Sequence, residues 1–356
     1  MNPLIKLNKF GQSVWLDYIR RDMIHNGELQ DLIKNDGLSG ITSNPAIFEK
    51  AIANSSIYKD PIRKLTDQGL PALKIYDILS IKDVRDAADC FRPVYNKTHG
   101  RDGFVSLEVN PHLAHDTEET ITEARRLWHE LDRPNVMIKV PATIEGLPAI
   151  TQLISEGINV NVTLIFGLSR YHAVMQSYVE GLKLRAINGK RLNGIASVAS
   201  FFLSRIDTLV DGLLNDTAQE LKGQTAIACA KIAYQKYKSR FGSDSFAVLA
   251  EKGAQVQRLL WASTGTKNPK ESDIKYVEPL IGIGTVNTLP VATLNAYRDH
   301  GEPASRIEDN IPEAENALIK LGELGIDMDL VTRQLEEEGV EKFNLPFDEL
   351  IKTIGK

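Results

Sequence analysis

Short runs of apolar or alternating residues recur along the chain between longer segments of helical periodicity, as expected of strands joined by covering helices. Eight runs qualify as strands: Val14 to Tyr18, Gly40 to Asn44, Phe104 to Asn110, Val136 to Pro141, Asn159 to Phe166, Ile195 to Phe202, Arg258 to Ser263 and Tyr276 to Ile281. The third through seventh carry the strongest pattern, because β-branched and apolar residues concentrate within them. Leu147, Ile150, Leu153 and Ile154 repeat at helical spacing before Gly157, a residue suited to ending a helix. Ser169 is placed to cap a further helix with Met175, Tyr178, Val179 and Leu182 on one face, and Ile206, Leu209, Val210 and Leu213 repeat the pattern after the sixth run. The fold class predicted is α/β, a (β/α)8 TIM barrel with additional helical segments. A doubly wound sheet is the competing architecture, because closure is not written in local pattern.

Residues 1–356 read as a single barrel domain with two additions. The excursion 46–103 is too long for a loop without structure of its own, and Leu65, Leu73, Tyr76, Ile78 and Leu79 suit helices there. A C-terminal helical extension spans 285–356, with helical segments at 314–325 and at Met328 to Glu338. Both additions are expected to pack on the barrel, with a mobile cover over its mouth as the alternative.

Composition narrows the class. The chain has 356 residues, 42% hydrophobic and 25% charged, a globular balance large enough to bury a substantial core. Its formal charge of -5 gives no general attraction to nucleic acid. Cys90 and Cys229 form no CxxC pair, so a reducing compartment is the simpler expectation. The opening MNPLIKLNKFGQSVW is broken by Lys6 and Lys9 and does not read as a secretion signal, and no apolar run approaches the roughly 20 residues that span a bilayer. A cytoplasmic location away from membranes follows as the expectation.

Several polar residues fall inside the strand candidates. Lys139 sits among Val136, Met137, Ile138 and Val140, where loss of water raises the cost of an ammonium and makes a neutral amine more available to attack a carbonyl. A strand-end lysine more commonly reaches water or forms a salt bridge. Ser106, Glu108 and Asn110 share one face of the third run; Asn159, Asn161 and Thr163 share one face of the fifth; Ser200 shares a face with Val198 and Phe202, and Ser197 lies off it. Such a ring can satisfy its own hydrogen bonds and hold a hydroxylated substrate. A carbonyl attached to Lys139 would require proton transfers, for which Asp17 and Glu108 are the acidic candidates and Thr163 could help Glu108 position water. Asn44 and Asn161 could hold substrate hydroxyls or cap backbone. Arg205, where the sixth run enters a helix, suits an anionic phosphate, and Lys267 could add charge after the seventh.

Gly282 and Gly284 in GIGTVN make no dinucleotide fingerprint, and no GxxxxGK[ST] loop occurs. His112, His115 and Asp116 lack an HExxH pattern and read as a solvated loop ahead of a metal site. No cofactor and no metal are therefore expected, and no nucleophilic triad is recognisable around Ser13 or Ser204.

Taken together the segments resemble transaldolases, particularly the long bacterial form. The resemblance rests on VWLDYIRR around Asp17, GITSNPAIF around Asn44, FVSLEVNP around Glu108, MIKVPAT around Lys139, GINVNVTLIF around Asn161 and Thr163, and SVASFFLSRID around Ser200 and Arg205. It implies metal-independent transfer of dihydroxyacetone from sedoheptulose 7-phosphate to glyceraldehyde 3-phosphate in the pentose phosphate pathway, giving erythrose 4-phosphate and fructose 6-phosphate. Lys139 would be the Schiff-base residue, Asp17 the acid/base for carbon–carbon cleavage, and Glu108 with Thr163 the proton and water relay. Asn44, Asn161 and Ser200 would orient substrate, and Arg205 would bind phosphate. Shorter members carry an arginine after the seventh strand; in WASTGTKNP the best match is Lys267, which keeps the charge but loses the bidentate fork. A fructose 6-phosphate aldolase that releases dihydroxyacetone and a noncatalytic sugar-phosphate binding module are the alternatives.

Overall fold

The computed structural model describes residues 2–214 and 216–355. Eight parallel strands close into a barrel in chain order: β1 (Ser13–Asp17), β2 (Gly40–Thr42), β3 (Phe104–Glu108), β4 (Val136–Pro141), β5 (Val160–Ile165), β6 (Ser197–Phe202), β7 (Arg258–Ala262) and β8 (Val286–Leu289). β1 pairs with both β2 and β8, so the sheet has no edge, and the barrel prevails over the doubly wound alternative. The strands are buried along nearly their whole length, as parallel strands covered by helices must be. Helix Gly146–Glu156 ends at Gly157 in the left-handed conformation, and helix Ser204–Leu213 follows β6, both where periodicity placed them.

The eighth strand lies elsewhere. Tyr276 to Ile281 is a buried connector holding one 3-10 turn, Glu278–Leu280, and Pro279 removes a donor that a central strand would need. Its apolar run reflects burial alone. The true β8 is obscured because Asn287 donates to the Tyr276 carbonyl and Thr288 meets the Thr42 hydroxyl, two polar tasks within four residues. β8 thus falls inside the stretch 285–356, and the helices Val291–His300, Ile311–Glu323 and Met328–Ile354 follow it. Ser169 is not a helix cap either: helix Leu168–Ile187 begins after Gly167, and the Ser169 hydroxyl donates to Asp329. Asn110 and Asn159 fall outside the strands; Asn110 caps the turn Pro111–Leu113, and Asn159 donates to the Pro134 and Val136 carbonyls.

Between β2 and β3 lie helices Pro45–Asn54, Lys59–Asp67 and Ala72–Lys97. The last helix, Met328–Ile354, packs on the first and third of these and on β5, which lays it across the C-terminal ends of the strands. Among the described residues no helix is long and apolar enough to cross a membrane, and Cys90 and Cys229 are free thiols.

The opposite, N-terminal end carries a buried ionic network. Arg258 at the start of β7 donates to Asp102 and to the Ser13 hydroxyl, and Asp102 also accepts from Ser13 and from the Trp15 indole at 3.0 Å. With its partners saturated, this network serves stability, as expected for the N-terminal face of such barrels. Asp102→Ala leaves the Arg258 guanidinium buried and uncompensated, and a loss of about 3–5 kcal/mol in urea unfolding is expected, with the substrate KM of the remaining folded protein unchanged.

Candidate active site

Strand register brings the chemistry together. Glu108 on β3 is the direct neighbour of Lys139 on β4, and Lys139 is the neighbour of Asn161 on β5. Alternation turns all three toward the barrel axis near its C-terminal end. Lys139 Nζ donates to the Ser43 carbonyl at 3.2 Å and lies 3.5 Å from Glu108 Oε2. Both side chains are almost wholly buried.

Burial pushes the Glu108 carboxyl up to about 7, against the opposing charge of Lys139, with the Asp17 charge adding to the rise. Both Glu108 oxygens and the Thr163 hydroxyl are buried without a hydrogen-bond partner in the protein. Unsatisfied polar atoms at this depth are costly, and the two on Glu108, beside the Lys139 amine, mark a place for water or a reacting group. Beside Thr163, Leu164 holds a left-handed backbone at φ 60° where the β5–β6 register shifts. Ser263, just after β7, is likewise left-handed at φ 55°. Backbone strain of this kind gathers where surrounding structure fixes a functional geometry.

Asn161 is held from two sides: its Nδ2 donates to the Ser106 hydroxyl at 3.0 Å, and its Oδ1 accepts from Ser200 at 2.7 Å. Across the barrel, Asp17 accepts from Thr42 at 2.7 Å, so Thr288, also 2.7 Å from Thr42, supplies the proton of that second contact. Burial pushes the Asp17 carboxyl up, opposed by Lys139, the Thr42 hydroxyl and Lys267.

Above these groups opens a cavity of about 290 Å³ lined by Asp17, Asn44, Lys139, Ser200, Arg205 and Lys267 together with residues from neighbouring loops. Glu108, Asn161 and Thr163 are not part of that lining. Asn44 combines two positions, since it lines the cavity and its Oδ1 caps helix Pro45–Asn54 by accepting from Ile47 N. Arg205 enters from the first turn of helix Ser204–Leu213; burial pushes its guanidinium down, and one terminal nitrogen is buried with no acceptor. Arg205 and Lys267 both line the cavity, where an anion would satisfy the guanidinium.

Thr42, Thr288 and Phe343 are among the lining residues that escaped sequence reasoning. Thr42 and Thr288 carried a signal, since Thr42 lies two residues before Asn44 in the same motif and Thr288 became legible only with the correct β8. Phe343 carried none: helical periodicity marks it as apolar, not that its ring centroid stands 5.2 Å from Lys139 Nζ. His112 and His115 lie outside the cavity, paired with Asp348 and Glu145.

Comparison with known proteins agrees along the whole chain. Residues 14–354 match the profile of the family described as transaldolase/fructose-6-phosphate aldolase. The chain is 50% identical to "Transaldolase 2" of Nostoc sp. strain PCC 7120, covering 99% of this chain and 97% of that protein. It is 48% identical to the transaldolase of Trichodesmium erythraeum over 99% and 97%, and 46% identical to that of Thiobacillus denitrificans over the full length of both.

The raised Glu108 carboxyl has a thermodynamic signature. Between its ordinary value of 4.5 and about 7, the folded chain holds a proton that the unfolded chain has lost. This contribution favours folding at low pH and disappears as pH rises through that window. Glu108→Gln removes it, so the stability of the variant relative to wild type is expected to rise across the window. Urea midpoints near pH 5 and near pH 8 measure the change; a difference between the proteins that does not vary with pH contradicts the assignment.

Proposed function

The chain belongs to the transaldolase/fructose-6-phosphate aldolase family, and from that premise we propose that it catalyses the transaldolase reaction of the pentose phosphate pathway. Dihydroxyacetone passes from sedoheptulose 7-phosphate to glyceraldehyde 3-phosphate, and erythrose 4-phosphate and fructose 6-phosphate result. The observation that carries this reading is the buried Lys139 amine, 3.5 Å from the Glu108 carboxyl, lining a cavity that Arg205 and Lys267 also line.

Glu108 can receive a proton from the amine, which then attacks the ketose C2 carbonyl. A carboxyl near 7 suits the next step, because it can protonate the carbinolamine oxygen and leave as carboxylate while water departs. The Thr163 hydroxyl, unpaired beside it, holds that water and returns it for hydrolysis. The iminium on Lys139 draws electrons from the C3–C4 bond as Asp17 takes the proton from the C4 hydroxyl. The raised affinity of Asp17 for a proton favours that role, and the Thr288–Thr42–Asp17 chain fixes its orientation. The aldose leaves, and the remaining enamine attacks the acceptor aldehyde, whose oxygen takes the proton from Asp17. Asn44, Asn161 and Ser200 orient hydroxyls. Arg205 and Lys267 hold the phosphate, placing the carbonyl over the amine.

The substrates are sugar phosphates, and the two free thiols fit a cytoplasmic setting. No step calls on a metal or cofactor.

Lys139→Arg keeps the charge but cannot form an imine, and transfer from fructose 6-phosphate to erythrose 4-phosphate is expected to fall on the order of 10^4-fold or more. Full transfer by this variant overturns the reading. Arg205→Ala is expected to lower kcat/KM by about tenfold to a hundredfold for phosphorylated donors, the cost of a lost charge-assisted contact. Its effect on unphosphorylated dihydroxyacetone donors is expected to be small; an equal loss for both removes the phosphate role.

A further inference from the structure

The C-terminal helix, Met328–Ile354, is clamped on both sides of the barrel mouth. Toward β5, Arg170 pairs with Glu336 at 2.9 Å, and Gly339 lets the helix approach so closely that a Cβ there would stand 3.1 Å from Leu164 and 3.3 Å from the Phe166 ring. Toward β2 and β3, Phe347 meets the Tyr76 ring edge-on at 5.4 Å, and Asp348 bonds His112 at 2.7 Å. Between the clamps Phe343, itself buried, is the helix residue that lines the cavity, with its ring 5.2 Å from Lys139 Nζ.

Lys139 Nζ is therefore enclosed by three unlike walls: the Ser43 carbonyl, the Glu108 carboxyl and an aromatic face. The ring face favours a positive nitrogen and offers no proton. The other two walls belong to the barrel; the third comes from the far end of the chain.

Resting on the transaldolase reading, we propose that Phe343 is a specificity-determining residue that makes the enzyme a transferase rather than an aldolase, by keeping bulk water from the dihydroxyacetone enamine on Lys139. After C3–C4 cleavage the enamine carbon has two fates. It attacks an acceptor aldehyde, forming a new carbon–carbon bond, or it takes a proton. In the second case the resulting iminium adds water, the carbon–nitrogen bond breaks, and dihydroxyacetone leaves with the Lys139 amine restored. The net outcome is then fructose 6-phosphate converted to dihydroxyacetone and glyceraldehyde 3-phosphate. Both fates share every step up to cleavage, so access of water to the enamine decides between them. An aromatic wall fixed by a clamped helix restricts that access.

The test is the ratio of dihydroxyacetone released to sedoheptulose 7-phosphate formed, with fructose 6-phosphate as donor and erythrose 4-phosphate as acceptor. Phe343→Ala opens the wall, and Phe343→Leu keeps an apolar side chain there. Because both products arise from the same cleaved intermediate, the ratio does not depend on how much of a variant is folded. A rise of about tenfold or more is expected for Phe343→Ala, with a smaller rise for Phe343→Leu. Leu345→Ala, exposed on the same helix, is expected to leave the ratio at the wild-type value. In deuterium oxide each dihydroxyacetone released by this route carries one solvent-derived deuteron at the former enamine carbon, in wild type and variants alike. An unchanged ratio in both Phe343 variants overturns the inference while leaving the transaldolase reading intact, and so does loss of donor cleavage in both. A wild type that releases dihydroxyacetone without transferring it overturns the parent reading, and the inference with it.

Discussion

Burial of an ammonium and a carboxyl side by side in a closed barrel is the constraint on which the remaining structure depends. Taking Lys139 and Glu108 out of water costs several kcal/mol per ion before their mutual attraction is counted. The protein returns little of that cost, since Lys139 has one carbonyl acceptor and Glu108 has no donor at hydrogen-bond distance. Burial holds the Glu108 carboxyl up at about 7 against the opposing charge of Lys139. A pair designed for stability would be saturated. This one leaves both Glu108 oxygens without a hydrogen-bond partner, and Lys139 lines the cavity.

The two ends of the barrel make the contrast plain. At the N-terminal end Arg258, Asp102, Ser13 and Trp15 satisfy one another. At the C-terminal end the network Ser106–Asn161–Ser200 is satisfied, but only to hold its members rigid beside groups that are not: Glu108, Thr163 and a terminal nitrogen of Arg205. Rigid scaffolding beside unsatisfied groups is what electrostatic preorganisation requires, because the donors and charges need not reorganise when charge develops on substrate. The left-handed backbones at Leu164 and Ser263 fall at this end as well.

Much of this could be read from the chain, and the physical reason is parity. A strand buried on both faces tolerates a polar residue only where a task awaits it, so Glu108, Lys139, Asn161, Thr163 and Ser200 stood out against apolar neighbours, and alternation placed them on one side. The eighth strand failed for the converse reason. Tyr276 to Ile281 is apolar because helices and loops cover it, whereas Val286–Leu289 spends Asn287 and Thr288 on polar contacts. Phe343 was illegible because periodicity gives the apolar face of a helix but not the element it meets. Its position depends on clamps far apart in sequence, Arg170–Glu336 and His112–Asp348. Arg205 was legible as a cation at a helix start, while its unsatisfied nitrogen emerged only from three-dimensional packing.

The central claim is that the Lys139 nitrogen becomes the electron sink for ketose cleavage. Borohydride reduction in the presence of fructose 6-phosphate, followed by peptide mapping, tests it most directly. The account predicts one substrate-derived adduct per chain, carried on Lys139. An adduct on a different lysine, or none at all while transfer proceeds at its normal rate, would contradict it.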